Sequence, residues 1–270
     1  MNDINTLKFN NKAKIQQFIS DSLLMIKRSS THIIRNTDQL LGAFFQPIMF
    51  LVLFASVFGG SIEKALPAGV SYINFLMAGI IVQTVAFGST TTALAVCNDL
   101  TKGIIDRFSS SPISNIAVLN GHVVSDILRN TISTTVMIVS GFVIGFRPQA
   151  NLIEWLQIIG LLLLFTFAFS WVSAIIGVLA KSVEAVQWLT FVIIFPLTFA
   201  SSAFTPTAGM GKYLRYFAEN QPITQVVEAI RALILGNPLG NYARGAVIWN
   251  ILVLLLAVPV ASKLYRNRTS

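Results

Sequence analysis

Long stretches without a single charged residue constrain this chain more than any other feature. Uncharged apolar runs occupy residues 39–62, 65–98, 130–146, 155–180, 185–211 and 245–262. A charge at mid-bilayer costs several kcal/mol, and about 20 apolar residues of helix cross the hydrocarbon layer. Each run holds one such helix, and 65–98 is too short for two with a turn. A further uncharged run, 108–125, is rich in Ser and Asn and contains Pro112, so only its second half reads as the start of a helix. Composition agrees: 11% of residues are charged and 54% hydrophobic, where a soluble domain carries about 25% charged residues to face water. The fold class expected is an all-α integral membrane protein with six transmembrane helices.

The expected spans are about 40–60, 72–96, 119–144, 155–180, 185–203 and 244–263, within a membrane domain over 39–265. No secretory leader is expected in residues 1–38, because they are polar and basic. Within that tail Ile15, Phe18, Ile19, Ser22, Leu23 and Ile26 follow a helical repeat, while Lys14, Gln17, Asp21 and Lys27 take other faces. This pattern predicts an amphipathic helix lying in the membrane interface. Six spans put both termini on one side. That side holds Lys8, Lys12, Lys14, Lys27, Arg28 and Arg35, with Lys102, Arg107, Arg129, Lys181, Lys263, Arg266 and Arg268. The opposite side has Lys64, Arg147, Lys212, Arg215, Arg231 and Arg244. The excess predicts cytoplasmic termini and a multi-pass protein of the cell membrane. The formal charge of +8 is thereby read as topology rather than nucleic-acid binding, and membrane lipid is the surrounding partner.

Two loops stand out. The loop over 97–118 runs from Cys97 through Pro112 with mixed charge; Asn98 or Asp99 is expected to cap a short helix there and Pro112 to end it. Such a helix shows Ile104, Ile105 and Phe108 beside Lys102, Asp106 and Arg107, a form suited to docking in a partner's groove. The loop over 204–242 contains Pro206, Pro222 and Pro238 with several glycines. Its Pro222–Leu235 stretch is helical in pattern but too short to cross, so external re-entrant helices are expected before the last span, with Glu228 and Arg231 paired one turn apart.

The chain offers little chemistry of its own. The nearest approach to a nucleotide-binding loop, Pro206 to Tyr213, lacks the first glycine and the Ser or Thr after Lys212. His32 and His122 have no metal-binding spacing, and Cys97 is the sole cysteine. No catalytic, cofactor or metal residue is expected, and the chain is read as a non-enzyme. Asp126 and Glu184 are placed near the cytoplasmic ends of spans, which argues against a proton-driven pump. Polar uncharged residues inside the spans mostly hold helices together in lipid. Gln83, Thr84, Thr134, Gln187, Thr190 and Thr198 are candidates to line a substrate path. Gly141 and Gly145 form a Gly-x-x-x-Gly pair for close helix contact, and Pro47 and Pro196 lie inside spans.

The segment Lys102-Gly103-Ile104-Ile105-Asp106-Arg107-Phe108 with Pro112-Ile113 is similar to the cytoplasmic coupling-helix motif of type-2 ABC exporter permeases, in particular the daunorubicin-resistance-like group. Gly59-Gly60, Phe204 with Pro206, and Pro222…Ala229-Ile230-Arg231…Gly236-Asn237-Pro238 also resemble that family, along nearly the whole chain. Ser109, Ser111, His122 and Gln221 depart from its usual residues. The resemblance implies a permease subunit of an ATP-driven exporter. It implies two permease copies, identical or paired with a second kind, and two separate ABC ATPase subunits that bind ATP and magnesium and dock at residues 102–108. The implied substrates are amphiphilic drugs, antibiotics or lipid-like molecules; export of a polysaccharide or lipid-linked glycan is the alternative, and a passive channel a remote one.

Overall fold

Caps and uncharged runs translate into nine α-helices among the described residues. The computed structural model describes residues 37–67, 69–102 and 115–269, with side chains over 45–67, 69–102 and 118–268. The helices are α1 (Thr37–Ile62), α2 (Tyr72–Gly88), α3 (Thr90–Thr101), α4 (Asn115–Ile144), α5 (Leu152–Leu179), α6 (Val183–Phe199), α7 (Lys212–Asn220), α8 (Pro222–Ile234) and α9 (Gly240–Thr269). The interfacial helix expected in the tail, and Gly103 to Phe108 with Pro112 of the docking segment, lie outside the described residues.

Local chemistry sets the boundaries. The Ser71 hydroxyl accepts from the Asn74 amide to start α2, and Ser182 does the same for α6 through Ala185. Asn151 and Glu154 form a reciprocal capping box at the head of α5, with bonds of 2.9 and 2.7 Å. Pro222 opens α8 at a position where its missing N–H costs nothing. Gly236 closes α8 at φ +67°, and the bonds Asn237 N–H to Ala232 O and Gly236 N–H to Leu233 O complete a Schellman motif.

Five segments are long and apolar enough to cross a membrane: Phe45–Ala65, Tyr72–Thr101, Val118–Ile144, Leu152–Leu179 and Gly240–Arg268. The remaining expected span, the fifth in chain order at about 185–203, corresponds to α6, which has 17 residues. At 1.5 Å per residue it reaches about 25 Å, short of a hydrocarbon layer near 30 Å. Its chain continues as non-helical backbone over 200–206. Hydrogen bonds give the relative direction of the helices. The Asn74 amide and the Arg147 backbone exchange bonds of 3.0 and 2.9 Å, placing the end of α4 beside the start of α2. Arg268 donates to Val178 O and Ala180 O, tying the end of α9 to the end of α5.

The distribution of polarity is inverted relative to a soluble protein. Leu156, Ile159, Leu163, Leu255 and Leu256 are exposed, whereas Asp126, Arg129, Asn130 and Arg231 are buried. Exposed apolar surface on this scale belongs in hydrocarbon, so the chain is a multi-pass membrane protein. Small residues permit the closest approaches. A Cβ at Gly177 of α5 would stand 2.4 Å from Ala93 O of α3, and one at Gly141 of α4 would stand 2.6 Å from Met77 of α2. Gly145, the other half of the expected glycine pair, instead ends α4 at φ +116°. Asn98 and Asp99 do not cap a new helix. They lie inside α3, because the apolar stripe of Ala93, Val96 and Cys97 stays buried to the last turn.

Candidate functional site

The helical stretch Tyr72–Thr101 is interrupted at Ser89, and the break exposes backbone. α2 stops at Gly88 and α3 resumes at Thr90, so the Gly88 carbonyl needs a partner from elsewhere. Thr91 Oγ1 donates to it at 3.2 Å, and Arg129 of α4 donates to it through Nη2. The same Arg129 nitrogen holds Asp126 Oδ1 at 2.7 Å. Thr91 Oγ1 reaches that carboxylate oxygen at 3.1 Å, and Ser170 of α5 donates to the other at 2.5 Å. Asp126 and Arg129 are 2% and 3% exposed. Three helices therefore meet on one internal ion pair, and Ser89 adds a 2.9 Å bond to Ser173 beside it.

Asp126 lies 11 residues into α4, about 16 Å along its axis at 1.5 Å per residue. The uncharged run ends at Asn130 only because Arg129 carries a charge. With Asp126 one turn earlier the two cancel, so the helix continues through both. An acidic residue three positions before an arginine, at the head of an uncharged run, is the sequence signal for such a pair.

Next to the ion pair lies a cavity of about 200 Å³, lined from α1 by Gln46, Pro47 and Phe50, from α2 and α3 by Gln83, Thr84, Phe87, Gly88, Thr91 and Leu94, and from α4 by Arg129 and Ser133. Thr84 spends its hydroxyl on Ile80 O at 2.7 Å. Gln83 is 3% exposed, and neither atom of its amide has a partner among the described residues. Of the six path candidates the structure brings Gln83 and Thr84 together here. Thr134 is buried but does not line the cavity, and Gln187 is exposed on α6. Thr190 is buried with an unpartnered hydroxyl, and Thr198 bonds its own helix at Ile194 O, 2.9 Å away.

At the opposite end of α2 a second arginine serves a second break. Arg231 of α8 is 4% exposed. It donates to Ser202 O at 2.6 Å, Ala203 O at 3.4 Å and Phe75 O at 3.1 Å, pairs with Glu228, and stacks 3.6 Å from the centre of the Phe75 ring. The Ser202 and Ala203 carbonyls belong to the non-helical backbone after α6, and that of Phe75 to the first turn of α2. Gln221 supplies more cover, donating to Leu197 O at 2.6 Å and Ala200 O at 2.9 Å. Phe54 of α1 closes the other side, stacked 4.6 Å from Phe204. Irregular backbone at membrane depth persists only under such cover. Glu228 and Arg231 pair as the sequence predicts, and Pro222 heads their helix.

Lys102 is the C-terminal cap position of α3 and exposed, at the threshold of the expected docking segment. Beside that threshold His122 Nε2 and Asp99 Oδ2 stand 3.0 Å apart, linking α4 to α3.

The ABC-2 type transporter family profile matches residues 21–235. Among curated proteins, the chain is 28% identical over 234 residues to the daunorubicin resistance ABC transporter permease protein DrrB1 of Streptomyces coeruleorubidus, covering 86% of this chain and 81% of the relative. It is 23% identical over 252 residues to a probable doxorubicin resistance ABC transporter permease protein, DrrC, of Mycobacterium tuberculosis, covering 90% and 88%. It is 26% identical over 219 residues to the putative transport permease ycf38 of Cyanophora paradoxa, covering 80% and 74%.

Proposed function

The chain belongs to the ABC-2 type transporter family, and from that premise we propose that it is the membrane-spanning permease subunit of an ATP-driven exporter for an amphiphilic drug, antibiotic or lipid-like substrate. The family match over 21–235 carries this reading. The permease names of the aligned relatives support it. Energy enters from outside the chain: two ABC ATPase subunits bind ATP and magnesium, and two permease copies share them. The chain crosses six times with both termini cytoplasmic, α6 and the covered backbone over 200–206 together making the fifth crossing. Residues Lys102 to Phe108 form the docking segment, continuous with the end of α3. Closure of the ATPases pushes that segment, and α3, bonded through Thr91 and Ser89 to α4 and α5, passes the motion to the bundle.

The test is co-expression with an ABC ATPase, purification of the complex and reconstitution in liposomes. The ATPase co-purifies, and accumulation of an amphiphilic dye falls on adding ATP. Asp106→Ala with Arg107→Ala uncouples the two, abolishing dye export while the permease still inserts. Export that proceeds at full rate without an ATPase overturns the reading; full coupling in the double variant overturns the docking assignment.

A further inference from the structure

The cavity beside Arg129 is lined by both apolar and polar side chains, and one of the polar ones, Gln83, has unfilled hydrogen bonds among the described residues. Phe50, Phe87, Pro47 and Leu94 are among the apolar ones; Gln83, Arg129 and Ser133 are among the polar. A buried amide without partners forfeits about 1–3 kcal/mol, a loss that a fold has reason to keep where a ligand supplies the missing bonds. Among the described residues Gln83 has neither a donor nor an acceptor for its amide. Charge narrows the class further. Arg129, the only charged group among the described residues that line the cavity, is already neutralised by Asp126 at 2.7 Å, so an added phosphate or carboxylate meets no net positive charge there and loses its hydration. The volume of about 200 Å³ falls below the roughly 300–1,000 Å³ that encloses a whole drug-sized ligand. It fits a head, with the body of the molecule left outside. One wall is α1, whose Phe45, Met49, Val52 and Leu53 are exposed, so an amphiphile in the hydrocarbon layer has an apolar approach to it.

We infer that this cavity is a binding site for the uncharged head of an amphiphile, one that both donates and accepts hydrogen bonds, such as a hydroxyl beside a carbonyl or an amide, with Gln83 as the reading residue. The inference deepens the exporter reading and rests on it for the site's purpose. Two sources share this chemistry: a transported cargo and a resident neutral lipid.

The test uses the permease–ATPase complex in nanodiscs doped with monododecanoyl glycerol, or with dodecyl phosphate as the charged counterpart of equal chain length. The neutral probe raises the melting temperature of the wild-type complex and the phosphate does not. Gln83→Leu removes both amide bonds and weakens the neutral probe's apparent affinity about tenfold or more, while its melting temperature without probe stays at or above that of the wild type. Ser133→Leu, which fills the cavity and leaves Gln83 in place, abolishes the shift and guards against a folding defect in the first variant. Equal shifts from the two probes, a shift that survives both substitutions, or no shift from either, meaning that the cavity holds water only, overturns the inference. In liposomes, ATP-dependent removal of the neutral probe from the inner leaflet marks cargo, and binding without removal marks a resident lipid. Failure of the ATPase to co-purify strikes the exporter reading alone, because the same melting shift is then read on the full-length permease by itself in the doped nanodiscs.

Discussion

Arg129 and Arg231 solve the same problem at opposite ends of α2 and leave different things behind. Each follows an acidic residue by three positions, each is almost wholly buried, and each donates to carbonyls freed by a break in regular backbone. At Arg231 the guanidinium is spent on Phe75, Ser202 and Ala203 oxygens, an aromatic face covers it, and Glu228 remains partly exposed. At Arg129 the acid is buried as deeply as the base, three helices share it, and a cavity with an unfilled amide adjoins it. Named by the topology that the sequence predicts, the Arg231 pair is an outer closure and the Arg129 pair an inner junction with room beside it.

The largest test of this contrast compares the two acids. Asp126→Asn leaves Arg129 as an uncompensated buried charge, which costs about 3–5 kcal/mol. Glu228→Gln also takes a charge partner from a buried guanidinium, but that partner is partly exposed and Arg231 keeps its backbone acceptors and the Phe75 ring, so the loss is smaller, about 1–3 kcal/mol. Thermal melting of the two variants in detergent is expected to show a large drop for the first and a smaller one for the second. Equal drops break the distinction between closure and junction.

A smaller effect sharpens the same comparison through two glycines of α2. A Cβ at Gly79 would stand 2.0 Å from the Ala203 carbonyl oxygen, part of the backbone that Arg231 holds in place. A Cβ at Gly88 would stand 2.0 Å from Asn130 Oδ1, the end of a side chain with no hydrogen bond to lose among the described residues. Gly79→Ala therefore forces backbone apart and costs about 1–3 kcal/mol. Gly88→Ala turns the Asn130 amide aside, recovers about 0.5–1 kcal/mol of helix propensity, and comes out near neutral. Melting of the two alanine variants checks this, and a Gly88→Ala variant that melts as low as Gly79→Ala makes the inner junction as rigid as the outer closure.

Much of this contrast is readable in the sequence, and the remainder is not for identifiable reasons. The uncharged runs locate the crossing helices because desolvation of charge is a local, additive cost. Pro222, Glu228 and Arg231 announce the buried helix α8 for the same reason: the pattern is helical and the length forbids crossing. The Asp126–Arg129 pair escapes a reading of charge-free runs because the two charges cancel only when seen together. Gly88 and Ser170 escape it because their roles depend on where α2 breaks and which helix lies opposite. The path candidates divide likewise. Gln83 and Thr84 share a cavity wall, whereas Gln187, of the same polarity, faces outward from α6, and helix rotation is set by neighbours that composition does not name.

The smallest expected effect concerns the exposed rim of the outer closure. In α7 the Glu219 carboxylate accepts from Arg215 Nε at 2.7 Å and from Thr207 Oγ1 at 2.9 Å, joining the helix to the loop that leads out of the covered backbone. The Arg215 bond first, and the Thr207 hydroxyl after it, hold the carboxyl below the usual carboxylate range. A carboxyl depressed in the folded state contributes stability above its unfolded pKa, near 4.3 for Glu, and that contribution is lost as pH falls through the lower folded value. Amide exchange over 207–219, corrected for intrinsic rates, therefore rises as the solution is acidified below pH ~4, and Glu219→Gln removes the step by giving the same exchange at every pH. Because Arg231 holds the backbone over 202–203 without help from this carboxylate, exchange there stays level across the same acid range; a matching rise at 202–203 would show the closure to depend on its rim.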